Sequence, residues 1–189
     1  MIPGLNIPTQ RPSSAEEAVL FANQTLHSAG LYSAKVSLLE PATGADGFSG
    51  AVVEATLPES ELVTLFAKVA AAKATEQGGK VSDCTLKLES NTAGSVQITC
   101  SMVAKMMMAS LQLQLSGEIY QVDSKHFGVR QLRFDPGSGM FASMASAMIR
   151  PRLNELEGRT FNLDELLGFP VEIRSMRVEN QCLKIELSA

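Results

Sequence analysis

The stretch that decides the fold runs from Val81 to Phe134: VSDCTLKLESNTAGSVQITCSMVAKMMMASLQLQLSGEIYQVDSKHFGVRQLRF. Cys84, Leu86 and Leu88 alternate with polar residues, and Val96, Ile98, Cys100 and Met102 repeat the pattern. Leu111, Leu113, Leu115 and Ile119 follow, separated by Gln112, Gln114 and Ser116. Period-two alternation over such lengths specifies antiparallel strands with one face buried and one wet. Asn91 to Gly94 supplies the first turn. The third strand reads from about Met106 to Val122, long for a globular sheet. A fourth, about His126 to Phe134, changes parity between Val129 and Leu132, which predicts a β-bulge.

Toward the N-terminus, a leader containing Pro3, Pro8 and Pro12 precedes a capping box, Ser14 with Glu17 three residues on. The helix it opens carries Val19, Ala22 and Leu26 on one face and ends at Gly30. Strands about Tyr32 to Glu40 and Ala51 to Leu57 then form a hairpin around the loop PATGADGFSG. A second helix begins at Pro58, presents Leu62, Leu65, Phe66 and Val69 on one face, and stops at Gly78-Gly79.

Beyond the meander, Pro136-Gly137-Ser138-Gly139 opens a third helix with no charged residue from Met140 to Ile149. Pro151 lacks a backbone donor, so this helix is expected to kink or restart before Gly158. Asn162 is placed to cap a short helical turn through Leu167. A final hairpin holds Val171 and Ile173 on one strand and Leu183, Ile185 and Leu187 on the other, with its turn near Glu179-Asn180. The order αββ-αββββ-αββ is α+β: a long curved antiparallel sheet, meander plus C-terminal hairpin, wrapped around or packed on two to three helices. A single domain over 1–189 is expected, divided into a leader (1–12), an αββ unit (13–57) and the remaining core (58–189).

At 189 residues, 45% hydrophobic and 19% charged, the chain can bury a sizeable core and is not disordered. Its net charge of −4 argues against a general nucleic-acid binder, although seven of the eight arginines lie between Arg130 and Arg177. The first residues show neither the basic n-region nor the apolar h-region of a signal peptide, and no window is long and apolar enough to span a bilayer. A cytoplasmic or peripheral-membrane location is expected. Three cysteines, Cys84, Cys100 and Cys182, lack metal-ligand spacing and read as free thiols.

Catalytic patterns are sparse. The two histidines are His27 and His126, and Asp123 lies three residues before the latter; a strand-edge structural role is the expectation there. Glu155, Glu157, Asp164 and Glu165 fall on expected solvated faces, with no pair singled out for acid–base work. The Gly-x-Gly before the third helix lacks the context of a phosphate-binding fingerprint and reads as capping. No enzyme, metal or cofactor is expected.

Methionine is the distinctive residue. Met140, Met144 and Met148 fall at i, i+4 and i+8 on one helical row, beside the small row Gly139, Ser143 and Ala147. Met102 and the run Met106-Met107-Met108 add thioethers on the strands, and methionine lines adaptable apolar surfaces well. A groove between this helix and a curved sheet would receive an acyl chain among Leu62, Phe66, Met102, Leu111, Leu113, Leu115, Met140, Met144 and Met148. Arg150 and Arg152 would meet an anionic head group.

The segments LPESELVTLF (57–66) and PRLNELEGRTFNLDELLGFPVEIRSMRVENQCLKIELS (151–188), with the meander between them, resemble the LmeA-like phospholipid-binding family over about residues 58–189. The likeness lies in Glu61 to Phe66, the strands from about Val81 to Phe134 and the hairpin from Phe169 to Leu187, with Gln181 where a glycine is commoner. The resemblance implies a tubular lipid-binding (TULIP-like) fold, with lipid tails between a long helix and curved sheets. The expected function is therefore non-enzymatic binding of phospholipid or another long apolar ligand, as a carrier or at a membrane surface, without nucleic acid. The alternative is a structural or protein-interaction module with a fully packed core, offering the edge of the Val171 or Leu187 strand to a partner.

Overall fold

The computed structural model describes residues 12–189 except 77, 93, 107–108, 139 and 168–169. Most of the expected leader, Met107 and Met108 of the methionine run, and Phe169 of the resemblance lie outside the described residues.

Local signals set most of the elements. Helix α1 (Ala15–Ser28) starts at Ser14, whose hydroxyl accepts the Glu17 amide at 3.3 Å. The return half of the box is displaced: the Glu17 carboxylate takes the amide and hydroxyl of Ser13 instead. Strands β1 (Lys35–Glu40) and β2 (Val52–Pro58) form the expected hairpin. Pro58 does not begin the next helix. It closes β2 opposite Cys182, and α2 runs Glu59–Glu76.

The meander follows as β3 (Gly79–Thr92), β4 (Ser95–Met106), β5 (Ala109–Gln121) and β6 (His126–Asp135). Strand β5 is shorter than the alternation suggested, because β4 extends to Met106 and pairs there with Ala109. The parity switch is a bulge: Ser116 pairs with Arg133 and Glu118 with Arg130, leaving Gln131 and Leu132 opposite Gly117. Gln131 takes up the excess at φ +56°, and Gly117 leaves room for Leu132, whose Cδ2 lies 2.5 Å from where a Cβ would sit. The Glu157 carboxylate accepts both bulge amides, each at 2.8 Å.

Helix α3 (Met140–Leu156) runs through Pro151 without restarting. A short strand the alternation did not reveal, β7 (Thr160–Asn162), pairs with His126–Gly128. Then come α4 (Leu163–Leu167), capped by Asn162 as expected, and β8 (Glu172–Glu179) and β9 (Cys182–Ser188). The β8–β9 turn falls one residue later than expected, on Asn180 and Gln181, both with positive φ.

These strands do not make one curved sheet. They form two separate antiparallel sheets, ordered β1-β2-β9-β8 and β3-β4-β5-β6-β7, neither closed nor strongly curled. The reason is a long-range pairing: β9 joins β2 in unbroken register from Val52↔Ser188 to Pro58↔Cys182, so the C-terminal hairpin completes the N-terminal one rather than extending the meander. The TULIP-like expectation, and with it the resemblance to phospholipid-binding proteins, is corrected by this topology.

The core sits between the sheets. Leu88 and Val96 from the five-stranded sheet cluster with Met176 and Leu183 from the four-stranded one, and Leu62, Ile98, Ile119 and Ile185 pack against them. A second cluster, Ala29, Leu31 and Ala34 with Leu26, Leu57 and Leu65, seats the end of α1 against α2 and β2. Side chains occupy several strand edges. Asn23 of α1 takes both the amide and the carbonyl of Val36 on β1, and Glu59 accepts the Leu88 amide of β3.

Candidate functional site

The proposed tail-binding residues do not converge on one groove. Leu62 is part of the inter-sheet packing, and Phe66 is half-buried on α2. Met102, Leu111, Leu113 and Leu115 do share a sheet face, through the pairs Ala104↔Leu111, Met102↔Leu113 and Cys100↔Leu115. Leu111 and Leu113 are buried.

The methionine stripe points the other way. Among the described side chains of α3, Ala142 is the buried one, with Ala145, Ile149 and Leu153 half-buried on its side, whereas Met144 and Met148 are 42% and 48% exposed. At about 100° per residue, Met144 lies roughly 200° around the axis from Ala142. The helix thus presents Ala142, Ala145 and Ile149 to the sheet and Met144 and Met148 outward. The side chain of Met140 lies outside the described residues. Arg150 is exposed, and Arg152 is exposed and paired with Glu155 at 3.1 Å. A slot bounded by thioethers with a basic rim is absent among the described residues.

A shallow cleft of about 410 Å³ does open near Met102 and Leu113. Its polar lining comes from Asp83, Ser101, Gln112, Gln114 and Asp135, residues of the wet sheet face and the β3 bulge, where Asp83 has φ +52°. This lining does not suit an acyl chain.

The densest polar arrangement surrounds His126, at the start of β6. Asp123 is within bonding reach, its oxygens 2.9 and 3.0 Å from Nδ1. The same carboxylate accepts the amides of Lys125 and His126, so it also shapes the β5–β6 turn. These amide bonds, the Lys125 amide foremost, and the imidazole contact hold Asp123 below the usual carboxylate range. On the other side of the ring, Asn162 Nδ2 is 3.2 Å from Nε2, while Asn162 Oδ1 accepts the Glu165 amide at the start of α4. Lys125 Nζ lies 3.2 Å from Asp164, whose other oxygen accepts the Val171 amide.

An Asp–His dyad is thus present, but Nε2, the atom a general base would use, already lies 3.2 Å from the Asn162 amide. Spacing of three residues placed Asp123 and His126 together in the sequence. Nothing local marked Asn162 as the third member, because it arrives through β7, 36 residues later.

A buried polar feature elsewhere was not legible at all. Glu118 has no exposed surface, and it accepts from Arg130 Nε at 2.7 Å, Arg130 Nη2 at 3.1 Å and Asn91 at 3.3 Å. Arg130 in turn covers the Tyr120 ring at 4.4 Å. Among the described residues, no buried side-chain polar atom lacks a partner and no group of three or more His, Cys, Asp or Glu is placed to hold a metal. The three cysteines are free; burial, with Cys84 nearby, pushes the Cys100 thiol up to about 12.

Compared with known protein families, curated proteins and solved structures, the chain matches none. No described helix is long and apolar enough to cross a membrane.

Proposed function

We propose that this chain is a packed structural module that acts through protein–protein contact, without a bound ligand and without catalysis. The observation that carries this reading is the inter-sheet core: Leu88, Val96, Met176 and Leu183, drawn from both sheets, fill the space that a lipid tail would need. The polar residues with the best geometry, Glu118 and His126, are engaged in bonds that join one element to another.

The partner-facing edge expected on the Val171 or Leu187 strand needs correction. Strand β9 is interior, between β2 and β8. The outer edge of β8 is taken by other elements: Ile173 bonds through its amide to the Ser124 carbonyl and through its carbonyl to Gln121, and the Val178 amide donates to Ser90. The longest terminal strand is β3, fourteen residues that end the five-stranded sheet; Glu59 takes its Leu88 amide, so strand addition would fall on other residues of this edge.

Native mass spectrometry of the purified protein, with solvent extraction of the same sample, tests the reading. The expected result is the bare chain mass, unchanged after incubation with anionic liposomes, with association that depends on concentration or on an added partner. A discrete adduct identified as an extracted lipid overturns it.

A further inference from the structure

The bonds around His126 fix its chemical state. Asn162 Oδ1 is committed as acceptor to the Glu165 amide, so the group 3.2 Å from Nε2 is the Asn162 NH₂, a donor. Nε2 must then be an unprotonated acceptor, and the ring hydrogen belongs on Nδ1, donated to Asp123 at 2.9 Å. A second proton has only Nε2 to occupy, where it meets Asn162 donor to donor. Turning the amide over relieves that contact but sets the NH₂ against the Glu165 amide, and α4 loses its cap.

We propose that β7 and α4 form a pH-sensitive latch: protonation of His126 reverses the Asn162 amide, uncaps α4 and loosens the corner where the two sheets meet. Other bonds at this corner run through the same elements, with Lys125 Nζ against Asp164 and Gln121 donating to the Ile173 carbonyl. Asp164 of α4 accepts the Val171 amide, Leu163 donates to the Lys125 carbonyl, and the Ser124 carbonyl accepts from Ile173. Loosening α4 therefore reaches the buried side chains of Val171 and Ile173 at the head of β8.

Among the described residues, the charged groups near the ring are Asp123 and Lys125 of the β5–β6 turn and Asp164 of α4, with the exposed Glu165 following it; Glu172 begins β8 next to Ile173. Hydrogen bonds hold Asp123 and Asp164 below the ordinary carboxylate range, so both stay ionised as the pH falls from 8 to 5. The other histidine, His27, belongs to α1 and lies against Tyr32.

Amide exchange measured by NMR on the full chain, expressed as protection relative to the intrinsic rate at each pH, tests the latch. The expected result is a loss of protection at the Glu165 amide of about fivefold between pH 8 and pH 5, the scale of a lost N-cap. It should follow the His126 ring-proton titration in the same sample. In Asn162→Asp both carboxylate oxygens accept, so an imidazolium and the Glu165 amide are satisfied together and the pH dependence should vanish. Constant protection in the native chain overturns the proposal, as does an Asn162→Asp variant that loses protection in parallel with it.

Discussion

Glu118 and Arg130 are cross-strand partners on β5 and β6, and together they hold an ionised carboxylate with no solvent-exposed surface on the otherwise wet face of the five-stranded sheet. The Arg130 bonds, then Ser95 and Asn91, lower the Glu118 carboxyl from its ordinary 4.5 to about 2. A depressed folded-state value contributes stability that is present above about pH 4.5 and is lost as the pH falls toward 2. Urea midpoints measured from pH 5 to pH 2.5 should therefore fall less steeply in Glu118→Gln than in the native chain. An equal slope would assign the acid sensitivity to other carboxylates.

The same pair supports a double-mutant test. Arg130→Met leaves the Glu118 charge with only neutral donors, whereas Glu118→Gln with Arg130→Met removes the charge as well. The single Arg130→Met variant should be the less stable of the two at pH 7 by chemical denaturation.

The β8–β9 turn places Asn180 at φ +51° and Gln181 at φ +60° between the paired Glu179 and Cys182. Two consecutive left-handed residues form the type I′ geometry, which favours Asn-Gly. Gln181→Gly should stabilise the chain by about 1 kcal/mol, seen as a higher urea midpoint with an unchanged slope.

Gly128 lies directly opposite Tyr120, and a Cβ there would meet Cε1 and Cζ of the ring at 2.8 Å. The ring is also covered by Arg130, so it cannot move aside without disturbing the Glu118 pair. Gly128→Ala should cost about 1–3 kcal/mol, the range for overpacking, and should shift the aromatic resonances of Tyr120.

The two kinds of methionine should separate cleanly. Met176, 5% exposed between the sheets, should lose roughly 2–5 kcal/mol on replacement by alanine. Met144→Ala and Met148→Ala on the outer face of α3 should each stay within about 0.5 kcal/mol of the native chain. Large losses at Met144 or Met148 would place that face in contact with another surface.

The resemblance to lipid-binding proteins failed at α3 and at β9, and each failure has a definite origin. Helix α3 carries apolar residues on two sides, Met140/Met144/Met148 and Phe141/Ala145/Ile149, so its sequence has no single stripe to choose which side faces the sheet. Packing chose the row of Ala142, Ala145 and Ile149, whose smaller members allow the helix close to β5 and β6. Strand β9 alternates equally well whether it extends the meander or pairs with β2, because periodicity specifies a strand but not its neighbour.

From the sequence alone came the features that a few neighbouring residues control: the Ser14 and Asn162 caps, both terminal hairpins, the meander and the bulge between Val129 and Leu132. Hydrogen bonds and side-chain alternation over three to ten residues decide these, and the chain carries that information locally. Only the tertiary structure decided that the outer hairpins share one sheet, that Glu118 is buried under Arg130, and that Asn162 closes on His126. The first and last of those depend on contact between segments well separated along the chain, Val52 against Ser188 among them, and the Glu118 pair depends on the register that the β5–β6 bulge sets. Closing such loops costs entropy that is recovered through packing and pairing of the whole fold, so no local pattern records which closure wins.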